Sequence, residues 1–167
     1  RTGTTPPRPS RSFGDGTHTG VAGTWRNIAN WDVCYWERLS GFGGTLDDVI
    51  ANGYETEGRS IVTVLPSDAG FRSEDCGTWV PDIGPIRLDP DGVLYPGTYR
   101  VGRDVSPGVW RTNPNTEGCY WELLSGFSGI DDVTANGYTS GQVVVAISPS
   151  DVGFHASPNC GLWVKDE

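Results

Sequence analysis

Glu37 and Asp48 recur as Glu122 and Asp132. Two carboxylates at repeated positions are the minimum equipment of a glycan hydrolase, one acting as acid and the other as base or nucleophile. Asp47-Asp48 with Asn52, and Asp131-Asp132 with Asn136, also offer the hard oxygen ligands that calcium prefers. Their spacing departs from the regular calcium loop, and Ala51 and Gly53 stand where more acids would help. A simpler reading makes Asp48 and Asp132 acceptors of backbone N–H bonds, with Asn52 and Asn136 entering a turn. No cofactor is therefore expected, and calcium is the one metal these residues suggest. Neither His18 nor His155 has a histidine counterpart. The chain holds no Cys-x-x-Cys, Gly-x-Ser-x-Gly or His-Glu-x-x-His, and no phosphate loop or dinucleotide fingerprint. No residue is assigned as catalytic.

Aromatic residues make the stronger case. Of seven tryptophans, Trp25/Trp110, Trp36/Trp121 and Trp79/Trp163 repeat, while Trp31 stands alone. Strand alternation over Cys34-Tyr-Trp-Glu-Arg-Leu39 puts Cys34, Trp36 and Arg38 on one face and Tyr35, Glu37 and Leu39 on the other. With the cysteine pointing inward, Trp36 and Trp121 belong to the core. Tyr35, Glu37, Tyr120 and Glu122 then face outward, and Trp25 and Trp110, at the start of short strands, are expected to be partly exposed. An aromatic platform beside carboxylate acceptors suits a sugar ring, and the same residue types dominate protein interfaces.

What positions these residues is a duplication. Cys34–Tyr54 returns as Cys119–Tyr138 with one residue deleted, and 16 of 20 aligned positions are identical. The echo continues through Pro66–Phe71 and Pro149–Phe154, then Cys76-Gly-Thr-Trp79 and Cys160-Gly-Leu-Trp163. A repeat of about 84 residues is the size of a small domain that closes its own core. Such a domain buries only about 60% of its chain surface and usually needs a staple. Pairing within each copy, Cys34 with Cys76 and Cys119 with Cys160, lets both units fold by the same rules and implies an oxidising, extracellular setting.

Short β-branched and aromatic runs separated by Gly and Pro give an all-β fold: two similar small β-sandwich or half-open barrel domains of five to seven strands, each with one disulfide. The expected organisation is a flexible leader over 1–12, a first module over 13–82, a proline-rich linker over 83–91 and a second module over 92–166. The alternative is a single body in which the copies pair strands across a shared core. Gln142–Ile147 reads as an inner strand, and Asn52-Gly53 and Asn136-Gly137 read as tight turns. The first copy is four residues shorter before its first repeated tryptophan, so the opening turn is where the modules should differ in shape.

Net charge is −9, Lys165 is the single lysine, and no arginine stripe forms, which argues against a nucleic-acid partner. No apolar run reaches the roughly 20 residues of a membrane span, so this segment is not expected to insert. The run Gly-Thr-Tyr-x-Val-Gly-x-Asp-Val-x-Pro-Gly-x-Trp, with Cys-Tyr-Trp-Glu, Leu-Ser-Gly-Phe, Asp-Asp-Val, Ala-Asn-Gly and Pro-Ser-Asp after it, resembles tandem modules of exported or lipid-anchored actinobacterial proteins of unassigned activity. That resemblance covers Phe13 to Val164 and implies export to the cell surface with paired cysteines. The expected function is non-catalytic extracellular binding, of a polysaccharide or cell-envelope glycan first. A protein-interaction or structural surface role is the alternative, and a glycan hydrolase built on the paired carboxylates comes last.

Overall fold

The computed structural model describes residues 12–28, 33–85 and 92–167. The expected leader and linker fall largely outside them, as does Trp31. The first copy forms β1 (Gly16–His18), β2 (Gly23–Ile28), β3 (Cys34–Leu39), β4 (Val49–Glu55), β5 (Ile61–Val64), β6 (Gly70–Glu74) and β7 (Thr78–Pro81). The second forms β8 (Val93–Leu94), β9 (Gly97–Arg100), β10 (Gly108–Thr112), β11 (Cys119–Leu124), β12 (Val133–Thr139), β13 (Val144–Ile147), β14 (Gly153–Ala156) and β15 (Trp163–Lys165). The extra strand β8 pairs with Trp163, where the first copy has only a bridge from Phe13 to Trp79.

The described strands form four sheets, ordered β1-β6-β3-β4 and β5-β2-β7 in the first module, and β9-β14-β11-β12 and β13-β10-β15-β8 in the second. Each sheet draws its strands from one copy, so the copies do not share a sheet. All-β architecture and the two within-copy disulfides, Cys34–Cys76 and Cys119–Cys160, are as expected. Two cores result, one around Trp25, Trp36, Phe71 and Trp79, the other around Trp110, Phe154 and Trp163. The duplication extends to ring geometry, since Phe71–Trp79 and Phe154–Trp163 meet edge to face at 5.2 and 5.3 Å. One detail breaks it. Trp79 Nε1 donates to Ser73 Oγ, whereas the equivalent buried Trp163 Nε1 has no partner among the described residues, Ala156 standing in place of that serine.

Three sequence expectations need correction. Trp25 and Trp110 are buried, not exposed, because β2 and β10 are interior strands and send these indoles between the sheets. Their N–H groups donate to the Val21 and Ser106 carbonyls. Residues 142–147 do not form an inner strand: β13 is an edge, with Val145 and Ile147 inward and Val144 and Ala146 outward.

Asn52-Gly53 and Asn136-Gly137 are not turns but lie inside β4 and β12, where Gly53 pairs with Trp36 and Gly137 with Trp121. A Cβ at Gly53 would stand 2.5 Å from the Trp36 indole, and one at Gly137 2.7 Å from that of Trp121. Each glycine leaves room for an indole to lie across the neighbouring strand. Gly53→Ala should accordingly cost about 1–3 kcal/mol, the range for forcing extra volume into a filled site. Urea unfolding is the check, and a neutral effect would contradict this role.

The opening turns differ as expected. Residues 19–22 join β1 to β2, whereas 101–107 join β9 to β10 and carry the buried Asp104. The longer turn matters because it reaches the other module.

Candidate functional site

Alternation through Glu37 on β3 and Glu122 on β11 is as the sequence implies and builds the same outward cluster twice, whereas Leu39, past a register shift after Arg38, is buried. Tyr35 donates to Glu37 Oε1 at 2.6 Å and Tyr120 to Glu122 Oε1 at 2.5 Å. Asn52 Nδ2 and Asn136 Nδ2 each donate to the phenol oxygen of their module at 3.4 Å. Cross-strand pairing sets Tyr54 opposite Tyr35 and Tyr138 opposite Tyr120, and these two are 65% and 74% exposed. Burial, aided by the bonded carboxylate, raises the Tyr35 and Tyr120 phenols above their ordinary value, so they remain neutral donors.

The two clusters sit in different surroundings. In the first module Glu37, Leu39, Phe42, Asp48 and Arg72 line a hollow of about 540 Å³, and Arg72 pairs with Glu37 at 3.5 Å. In the second module the equivalent face is partly roofed by the first, leaving a cleft of about 440 Å³. Trp36, Asn52, Tyr54 and Glu55 line it from one side, and Tyr120, Glu122 and His155 from the other.

The paired aspartates of the sequence reading differ in their partners. Asp132 Oδ2 accepts from Ser128 N and Ser128 Oγ, both at 2.6 Å, and so ties down the 126–128 loop. Among the described residues the buried Asp48 Oδ2 has no donor, and Gly43 offers no hydroxyl where Ser128 does. For a metal, the structure does not gather the proposed ligands. Asn52 lines the cleft between the modules and Asp48 the separate hollow, while Asp47 and Asp131 are exposed. Among the described residues no three His, Cys, Asp or Glu side chains stand together as a metal centre would need.

The residues that hold the cleft together are ones the sequence reading passed over. Ile61 of β5 packs on Leu124 and Phe127 of the second module. Thr63 N–H donates to Phe127 O, and Thr98 N–H to Arg59 O, both at 2.8 Å. Arg38 grips Asp68 with two bonds of 2.7 and 2.8 Å and reaches the Ser128 carbonyl across the interface. Burial alone would raise the Asp68 carboxyl, but Arg38 and the Leu65 amide outweigh it and hold it below its ordinary value. Asp82, its side chain fully buried, receives Arg100 at 2.8 Å and Arg103 at 2.7 Å from the second module.

Glu55 and His155 meet in the cleft with Oε2 and Nδ1 3.5 Å apart. Burial pushes the Glu55 carboxyl up to about 8, helped by the Glu122 charge and opposed by the Glu57 and Thr56 amides. Burial lowers His155, with Glu122 pulling the other way. With Glu55 raised and His155 lowered, the contact is a neutral pair near pH 7 rather than an ion pair. A raised Glu55 contributes stability below its ordinary 4.5 and loses it as pH climbs to about 8. A lowered His155 contributes above its ordinary 6.5 and loses it as pH falls. Just below 6.5 the two slopes oppose one another, and above 6.5 the Glu55 slope acts alone. Calorimetry should therefore give a Tm that falls from pH 6.5 to 8, with this alkaline fall removed by Glu55→Gln. A Tm rising from 6.5 to 8 would contradict this pairing.

Neither Glu55 nor His155 repeats, since Thr139 and Arg72 hold the equivalent positions. The pair belongs to the interface, and the Tyr–Glu–Asn cluster to both modules. Among the described residues, no helix is long and apolar enough to cross a membrane. No curated protein and no solved structure matches the chain. A family model does match twice, over residues 14–80 and again over 91–164, and on that double match the chain belongs to the Rv1352-like extracellular domain family.

Proposed function

We propose that this extracellular tandem is a non-catalytic binding protein for a polysaccharide of the cell envelope, with the actinobacterial surface as its setting. The observation that carries the reading is the outward cluster repeated in both modules: an exposed Tyr54 or Tyr138 beside a phenol, a carboxylate and a carboxamide. A tyrosine ring covers the apolar face of a pyranose, and the Glu and Asn groups exchange hydrogen bonds with its hydroxyls. Two modest sites on one chain gain avidity on a repetitive polymer. Asn, Tyr and Glu supply this chemistry without a metal, so chelation should leave binding unchanged.

A glycan array probed with the whole chain tests the proposal. Wild type should retain at least one glycan class, and Tyr54→Ala with Tyr138→Ala should abolish retention while leaving the Tm within a few degrees. Retention that survives the double substitution would remove these residues as contacts. Silence across the array, with specific capture of an envelope protein, would favour the protein-interaction reading instead.

A further inference from the structure

The contact between the modules joins two different surfaces. Ile61, on the β5 edge of the first module, is 5% exposed, and Phe127, on the outer face of the second, is 6% exposed. The duplication means that each of these surfaces exists once more in the same chain. Phe42 is the counterpart of Phe127 and is held in the same posture. A Cβ at Gly70 would meet the Phe42 ring at 2.7 Å, as one at Gly153 would meet the Phe127 ring at 2.5 Å. Yet Phe42 is 58% exposed. Val144, the counterpart of Ile61, lies on the β13 edge and is 55% exposed. Ala146 takes there the place of Thr63, whose amide donates to the Phe127 carbonyl.

We propose that the chain associates head to tail with a second copy of itself, the β13 edge of one molecule docking through Val144 on the Phe42 face of the next. The contact repeats between molecules the one that joins the modules within each. It is heterologous, so every added copy leaves one free surface of each kind, and the product is an open chain or a ring. Such an assembly would convert the open hollow of each first module into a second roofed cleft. The inference does not depend on what the clefts bind.

The contact between molecules is weaker than the one within, for reasons visible in the residues. Arg100 has Thr19 as its counterpart, the shorter opening turn of the first module offers no Arg103, and Arg38 becomes Leu123. Asp166, the counterpart of Asp82, is held by its own module through Arg111 at 2.6 Å. The tether that gives the internal contact an effective concentration in the millimolar range is also missing. Association should therefore emerge only at high protein concentration.

Sedimentation equilibrium on the full chain from about 5 to 500 µM is the test, the upper end approaching the millimolar effective concentration of a short tether. Wild type should move from monomer to species of two copies or more. Phe42→Asp alone and Val144→Asp alone should stay monomeric, because each has lost one of the two surfaces. Mixed in equal amounts they should form a dimer that grows no further, since each supplies the surface the other lacks. Both positions are more than half exposed, so the fold should tolerate the charge, and Phe42→Ser with Val144→Ser repeats the experiment if either variant melts early. A wild type that is monomeric throughout, a single variant that associates like wild type, or a mixture that stays monomeric would each overturn the proposal.

Discussion

Asp82→Ala should destabilise the tandem by about 3 kcal/mol and split its unfolding into two transitions. The Asp82 side chain is fully buried and accepts Arg100 through Nε at 3.1 Å and Nη2 at 2.8 Å, and Arg103 through Nη2 at 2.7 Å. Arg26 of its own module stands 3.8 Å away. Removing the carboxylate takes their shared acid from three guanidinium groups, of which Arg103 keeps Asp104 at 2.7 Å. Breaking a buried ion pair from one side costs about 3–5 kcal/mol. The arginine side chains keep 16–30% exposure, so water screens part of the loss and the lower end applies. Each module retains its own core, so the interface should open before either core melts. Urea unfolding followed by tryptophan fluorescence gives both readouts. A single transition with less than about 0.5 kcal/mol lost, the effect of an ordinary surface substitution, would show that the arginines do not fasten the modules together.

Cys34→Ala with Cys76→Ala should cost about 4 kcal/mol, and Cys119→Ala with Cys160→Ala the same to within a few tenths. The two bridges span 42 and 41 residues, so the freedom returned to the unfolded chain is nearly equal. All four sulfurs lie in the cores beside the edge-to-face aromatic pairs. Sandwiches this small have little other reserve, and each double variant should lose its own module while leaving its neighbour folded. Limited proteolysis with mass mapping separates the outcomes, since cleavage should fall within the unstapled module alone. Cleavage spread over both modules would mean that neither folds without the other.

The duplication, the disulfides and the face parity of Cys34–Glu37 were legible because they are local or repeated, while the register shift after Arg38 that buries Leu39 was not. Tyr35 and Glu37 point outward on alternation alone, and they do so in both copies. Burial of Trp25 and Trp110 was not legible, because it depends on β2 and β10 being interior strands, and strand order is set by pairing between distant residues. The Asn-Gly pairs misled for a related reason. Their glycines serve the facing tryptophan rather than a turn, and that partner lies about 17 residues upstream. The interface was missed altogether. Glu55, His155, Arg38 and the 101–107 turn are places where the copies disagree, with Thr139, Arg72, Leu123 and a shorter turn opposite them. In a duplicated chain the identities mark what both modules share, the disulfide-stapled core and the Tyr–Glu–Asn face alike. The differences mark what each needs to meet the other, and that signal was present in the alignment.

On the proposed function, the repeated Tyr–Glu–Asn faces contact the ligand. The most direct measurement is an NMR titration of the full chain with a glycan that the array retains. Shifts should concentrate on Tyr35, Glu37, Asn52 and Tyr54 in one module and on Tyr120, Glu122, Asn136 and Tyr138 in the other. The indole N–H signals of Trp25 and Trp110 should stay in place, because both rings are buried and bonded to backbone carbonyls. Shifts centred away from these eight residues at saturating glycan would contradict it.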